Sequence, residues 1–353
     1  MLFVKTPYNP TMKLFIGKFL TVILMLGAFV RPNAQLLGPT ESPIGGITGR
    51  WISMFTPYAS PTAPFFLKVI EVDGGIFSAH DKVQVWDGTN VARNQWIVVP
   101  AGRPFGAEMA YFVINMDYDK YLDSATVNGE VKVKPYSGSL SQWWLFVPSI
   151  GGGLNLVSAN SGLALTFPNG SNGSALRMAP LTFSSTQRIG TVTTNSGNPF
   201  NPGISFNFPF PRTIRSAANP NMQLADLTAG SNLQNAFVGL RPRTPGITNQ
   251  IWHAFFDTSN DYFRIYNSHN YYNLGSFDNV MFGGTNAVLR YPEVLPAEPQ
   301  QWYALPTKYP GQHYLVHAKS GLALKVQNTN NGAFAYLWPI DGSDLERWII
   351  DTP

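Results

Sequence analysis

The chain of 353 residues contains no cysteine. That excludes disulfides, thiolate nucleophiles and cysteine metal sites together. Charge is scarce as well: Asp, Glu, Lys and Arg make up 12% of the residues, against 28 prolines and 32 glycines. This balance favours short elements joined by tight turns over long solvated helices. The motifs that cradle phosphates or expose a nucleophilic serine are missing. No Gly-x-Gly-x-x-Gly opens a helix, and neither Gly-x-x-x-x-Gly-Lys-Ser/Thr nor Gly-x-Ser-x-Gly occurs. Of the five histidines only His313 and His317 are close, and they flank a strand-like Tyr314-Leu315-Val316 rather than a helical turn. Residues four apart on a strand share a face but stand well separated, so no metal site is expected.

What is present begins with a distinct N-terminal segment. A basic stretch at Met12-Lys13-Leu14-Phe15-Ile16-Gly17-Lys18 precedes a largely apolar run from Phe19 to Val30, and Asn33-Ala34 offers a small residue for cleavage. This pattern predicts a signal peptide over 1–34, with Met12 as an alternative start. The run is too short to span a bilayer comfortably, so the mature chain is expected to have no membrane span and to be secreted or extracytoplasmic. Removing the segment takes away Lys5, Lys13, Lys18 and Arg31 and no acid, which leaves 20 basic against 20 acidic residues. A neutral mature chain argues against a nucleic-acid partner gripped through its phosphates.

Internal similarity is the strongest feature. Leu156 to Leu165 (LVSANSGLAL) matches Leu315 to Leu324 (LVHAKSGLAL) at an offset of 159, and the register persists through Asn172-Gly173 against Asn331-Gly332 and Pro180 against Pro339 to Ile189 against Trp348. The two halves are a duplication. A shorter period runs within each half. A polar amide or acid stands two residues before Trp96, Trp144, Trp252, Trp302 and Trp348, with Gln187-Arg188-Ile189 as a degenerate sixth copy. Successive copies lie 48 and 45 residues apart in the first half, and 50 and 46 in the second. Each half therefore holds three units. Alternations such as Val131-Lys132-Val133-Lys134 predict about four short strands per unit, one face of each on a core.

Such a unit cannot hide its own apolar face, but three sharing one core can. Trp96, Trp144, Ile189, Trp252, Trp302 and Trp348 are accordingly expected to be structural core, with the preceding amide as a hydrogen-bonding group. The expected organisation is all-β: a first domain over 44–190 and a second over 205–353, joined by a turn-rich linker over 191–204, with Ile44 to Phe55 supplying the opening strand.

Trp-terminated units of 45 to 50 residues in sets of three resemble the ricin-type β-trefoil of the ricin B chain and many carbohydrate-binding modules. Its Q-x-W signature stands intact as Gln142-Trp143-Trp144, Gln250-Ile251-Trp252 and Gln300-Gln301-Trp302. The resemblance implies two tandem β-trefoil domains, each with three pseudo-symmetric four-stranded repeats. It also implies sugar sites built from an early Asp, an aromatic on the third strand and a polar group before the last. An aromatic face stacks on a pyranose ring while carboxylate and amide satisfy its hydroxyls. On this basis unit one offers Asp73, Trp86 and Asn94, and unit two Asp123 with Tyr136. Unit five offers Asn273, Tyr291 and Gln300, and unit six Trp338 with Asp341. Ala164 and Ala323 stand where the acid is expected in units three and six. The implied protein is a non-enzymatic lectin that needs no cofactor and has glycans or polysaccharides as partners. The alternative is a trefoil scaffold that has lost sugar recognition and binds extracellular proteins or a cell surface.

Overall fold

The computed structural model describes residues 51–59, 67–76, 78–88, 91–105, 108–124, 129–149, 152–193, 211–228, 235–257, 262–277, 284–292 and 300–351. The N-terminal segment read as a signal peptide lies outside them. The described residues form strands, turns and single-turn 3₁₀ helices, arranged as one sheet of 13 strands and one of 12. No helix among them is long and apolar enough to cross a membrane.

The first sheet runs from strand Trp51–Ala59 to strand Gly190–Thr193, and these two pair with each other through Ile52 and Thr193. The second runs from Thr213–Ser216 to Arg347–Asp351, which pair through Ile214 and Ile350. First and last strands thus meet in both halves, which removes two edges that would otherwise expose unpaired backbone. Strand Gly190–Thr193 also corrects the expected linker boundary: Thr191 to Thr193 complete the first sheet, because their backbone closes it against Ile52, Ser53 and Met54. Segment 194–210 lies outside the described residues.

Five indoles hold the same place. Trp96, Trp144, Trp252, Trp302 and Trp348 are buried, and each donates its Nε1 hydrogen at 2.9 Å to a strand carbonyl, of Ile70, Leu122, Leu224, Leu274 and Leu324 respectively. Ile189, at the sixth place, is also buried and has no hydrogen to donate. Burying an indole removes about 200 Å² from water, worth roughly 5 kcal/mol, whereas one buried hydrogen bond contributes about 1 kcal/mol. Ring volume therefore dominates stability at these positions, and the N–H fixes which carbonyl, and hence which register, the ring accepts.

The preceding amide works on the loop before it. Gln142, Gln187 and Gln250 each accept a backbone N–H with Oε1, from Ser137, Thr182 and Thr244, and donate with Nε2 to the carbonyl of Pro135, Pro180 and Pro242. Gln300 donates likewise to Tyr291. Glu346 has the same place in the last unit: its Oε1 accepts from Asp341 N and Gly342 N, while the buried Oε2 lacks a partner. Burial, with the neighbouring Asp341 carboxylate, pushes the Glu346 carboxyl up to about 8.

Each sheet encloses its own core. The first contains Ile70, Val85, Trp96, Trp144 and Phe146, and the second Leu224, Leu240, Trp252, Leu324 and Trp348. A third apolar cluster joins the halves, bringing Val99, Phe112, Ile114 and Tyr121 onto Tyr303, Leu305, Tyr314 and Ile340. Tyr314 Oη donates to Asp119 Oδ1 at 2.8 Å across this seam, and Lys308 Nζ lies 3.4 Å from Asp119 Oδ2. Gly321 is required here. A Cβ on it would lie 2.0 Å from the Pro100 carbonyl oxygen, whereas the matching Gly162, with the same φ of +68°, faces open space.

These observations set three expectations. Trp144→Phe keeps most of the apolar volume but strands the Leu122 carbonyl, and should cost about 1–3 kcal/mol in urea unfolding. Gly162→Ala should cost about 1–2 kcal/mol from its left-handed backbone alone, and Gly321→Ala clearly more, because it also pushes the halves apart. Because Glu346 keeps its proton in the folded chain to higher pH than in the unfolded one, its contribution is full below its ordinary pKa and falls as pH rises towards about 8. Glu346→Gln should therefore flatten the decline of thermal midpoint between pH 5 and 8; an unchanged decline would contradict the assignment.

Candidate functional site

Strand pairing fixes equivalent positions across the units. In unit two Asp123 follows Leu122, whose carbonyl takes the indole hydrogen, and it faces Lys132 across the hairpin. The same place holds Glu71 facing Gln84, Thr166 facing Arg177, Ala225 facing Gly239, Gly275 facing Val288 and Lys325 facing Tyr336. By strand register Glu71 holds in unit one the place that Asp123 holds in unit two, and Thr166 and Lys325 hold it in units three and six; Asp73, Ala164 and Ala323 each lie two residues away. Two residues further along the third strand stand Trp86, Lys134, Ala179, Arg241, Arg290 and Trp338. Tyr291 lies one residue beyond this place. Only unit one combines a carboxylate with an aromatic ring.

Its hairpin alternates cleanly. Ile70, Val72, Val83 and Val85 enter the core, leaving Val69, Glu71, Gln84 and Trp86 on the opposite face. Glu71 Oε1 accepts from Gln84 Nε2 at 3.3 Å, and Oε2 from Arg93 Nε at 3.1 Å. Burial raises the Glu71 carboxyl above its ordinary value, and the hydrogen bond and charge of Arg93 pull it back. Asp73 caps the following turn, accepting from Gly75 N at 3.0 Å. Asn94 is buried beneath. Beside them His80 stacks on Tyr118 at 4.9 Å, with His80 Nδ1 3.1 Å from the Asp73 carbonyl.

Trp86 is half-buried, and Gly173 in loop 169–174 of the third unit lies near its ring, where an added Cβ would make only an ordinary 3.9 Å contact. Asn172 anchors this loop through Lys68 Nζ and Asp87 Oδ2, while Lys68 Nζ pairs with Asp87 at 2.7 Å. Trp86 thus follows Gln84 on the hairpin face opposite the core, and Gln84 is bonded to the buried Glu71 carboxylate that Arg93 also holds. Such groups can stack on a sugar face and exchange hydrogen bonds with adjacent hydroxyls.

The other candidates differ in exposure: Tyr136, Tyr291 and Trp338 are exposed, whereas Asp123 is as buried as Glu71. Asp123 is buried between Lys134 Nζ at 2.8 Å and Ser141 Oγ at 3.0 Å, and Tyr136 leans edge-on against Phe112 and Tyr121. Asn273 donates to Gln300 Oε1 at 2.6 Å, so these two polar groups satisfy one another rather than facing solvent. Tyr291 is exposed and packs on Tyr272 at 4.5 Å. Trp338 is exposed, with Asp341 nearby in an ion pair with Lys325.

Glu71, Gln84 and Arg93 complete the unit-one site, and sequence reasoning assigned Glu71 no role. The available signal was its place directly after the buried aliphatic Ile70, as Asp123 follows Leu122. His313 is buried and its pKa is pushed down to about 4 by burial, while His317 Nδ1 meets Ser320 Oγ at 2.8 Å. Among the described residues no group of three His, Asp or Glu could hold a metal ion.

No protein-family model matches the sequence, and no curated protein matches it. Among solved structures it is similar to a designed three-fold symmetric protein, ThreeFoil, at 23% identity and a TM-score of 0.37, covering 40% of this chain and 99% of that one. The Rhizoctonia solani agglutinin aligns at 15% identity and 0.36, over 41% of this chain and 97% of its own. The Abrus precatorius agglutinin aligns at 13% identity and 0.30, over 85% and 96%.

Proposed function

We propose that this chain is a secreted carbohydrate-binding protein without catalytic activity, built from two tandem ricin-type β-trefoil domains. The first domain would end with the strand through Thr193 and the second would start near residue 205. The pseudo-threefold reading is supported by the recurring indole-to-carbonyl bond in five units and by the Gln or Glu that ties the preceding loop in units two to six.

The observation that carries the function is the face of the unit-one hairpin opposite the core, where half-buried Trp86 lies on the same face as the buried Glu71 and Gln84, with Arg93 held on Glu71. Nothing in the core requires an indole there, since Lys134, Ala179 and Arg290 take the same place in other units. A shallow site of this kind binds one sugar weakly, and further sites on the same molecule raise avidity. The scaffold reading is favoured for units three, four and five, where Thr166, Ala225 and Gly275 replace the acid.

Glycan-array binding followed by calorimetry tests this. Trp86→Ala and Glu71→Gln should each weaken sugar binding at this site about tenfold or more, with an unchanged thermal midpoint for Trp86→Ala. Retention of full affinity in both variants, or no binding to any glycan, would refute the proposal.

A further inference from the structure

The second half carries an exposed row of aromatic rings that the duplication does not account for. On strand Ala335–Trp338, Leu337 and Ala335 face the core, while Phe334, Tyr336 and Trp338 point away from it. Phe237 joins them from strand Ala236–Pro242, its ring 5.3 Å from that of Phe334, and Tyr336 lies 5.9 Å from Trp338. Phe237, Phe334 and Trp338 are each 39% exposed. Alternate residues of a strand stand about 6.6 Å apart on one face, so Phe334, Tyr336 and Trp338 follow one another along the chain, and Phe237 meets Phe334 edge-on from the neighbouring strand.

The first half supplies an internal control. Matching bridges, Glu130 with Arg177 and Asn286 with Tyr336, place Arg177 opposite Tyr336 in the duplication. Ala175 then corresponds to Phe334, Ala179 to Trp338, and Lys82, which bridges Lys132, to Phe237, which pairs with Val288. The same backbone is built with two alanines, a lysine and an arginine. Packing does not demand rings there, and leaving them in water forfeits burial that the fold does not recover.

We infer that this row binds a linear polysaccharide, one sugar ring per aromatic platform, as an extension of the site at Trp338. The inference rests on the carbohydrate reading above. An extended polysaccharide presents the apolar faces of successive rings at a spacing comparable to these platforms, and its hydroxyls at the edges need polar partners. Polar groups stand near the row: buried Lys325, cross-strand from Tyr336, is paired with Asp341, and Arg241 Nη1 is hydrogen-bonded to Asn331 Oδ1. Lys325 replaces the carboxylate that unit one uses, so this surface has lost the grip suited to a single sugar while gaining stacking area for several. A protein strand added to the sheet would need a free backbone edge, and although strand Ala335–Trp338 ends the sheet order, Leu337 is bonded to Gly284 and Thr285 and Tyr336 is bridged to Asn286.

Calorimetry of the full chain with glucose, xylose, galactose and N-acetylglucosamine, and with their β-linked oligomers up to about six units, tests the inference. In at least one series affinity should rise about tenfold or more from monomer to tetramer and then level off. Phe237→Ala/Phe334→Ala should abolish that rise while leaving monosaccharide binding intact, and Phe237→Tyr/Phe334→Tyr should keep it. Monosaccharide binding with no dependence on length, or a full rise in the alanine variant, overturns the polysaccharide row and leaves the unit-one site standing. Absence of binding to every sugar overturns both.

Discussion

The rest of the structure depends on a buried indole whose single polar hydrogen must find an acceptor. At five places the partner is the carbonyl of an aliphatic residue on a neighbouring strand, and at each the ring fills core volume. A ring placed one residue out of register would lose both, leaving a cavity and an unpaired carbonyl in the same stroke. The amide two residues earlier then fastens the preceding loop to the same short helix. Through these two links the end of one unit sets the geometry of its own middle.

That geometry produces the candidate site almost as a by-product. Because the residue accepting the indole hydrogen lies inward, its successor must point out, and the residue facing it across the hairpin does too. Glu71 and Gln84 in unit one, Asp123 and Lys132 in unit two, and Lys325 and Tyr336 in unit six hold this one place on the face opposite the core, where Glu71, Asp123 and Lys325 are nevertheless buried. The fold fixes its position and leaves its chemistry free. Carboxylate, hydroxyl, alanine, glycine and lysine all occur there, and only where a ring stands two residues along the third strand does the place gain a platform.

The seam between the halves shows how one sequence motif takes on different work. Ser161-Gly162-Leu163 and Ser320-Gly321-Leu322 fold alike, with the same positive φ at glycine. The first turn meets solvent. The second lies against the Pro100 carbonyl, next to a buried apolar cluster and the Asp119, Tyr314 and Lys308 contacts. Local sequence dictated the turn in both copies, and only the docking of one half on the other made the glycine at 321 a packing requirement.

The sequence by itself determined the all-β character, the duplication, the spacing of the tryptophans and the amide beside each. These are local or periodic features: alternation, turn residues and repeat offsets are written in one dimension. It also showed Trp86 and Trp338, because large rings on a polar-flanked strand are visible without a partner. That Glu71 shares its register place with Asp123 was not legible, since it depends on which carbonyl receives an indole some 25 residues away, and the sequence pointed to Asp73, two residues past Glu71. The pairing of Asn273 with Gln300 and the extension of the first sheet to Thr193 were hidden for the same reason. So was the row from Phe237 to Trp338, in which Phe237 comes from a strand far in sequence from the other three rings. Cross-strand register is a contact between distant segments, and tertiary structure alone decides it.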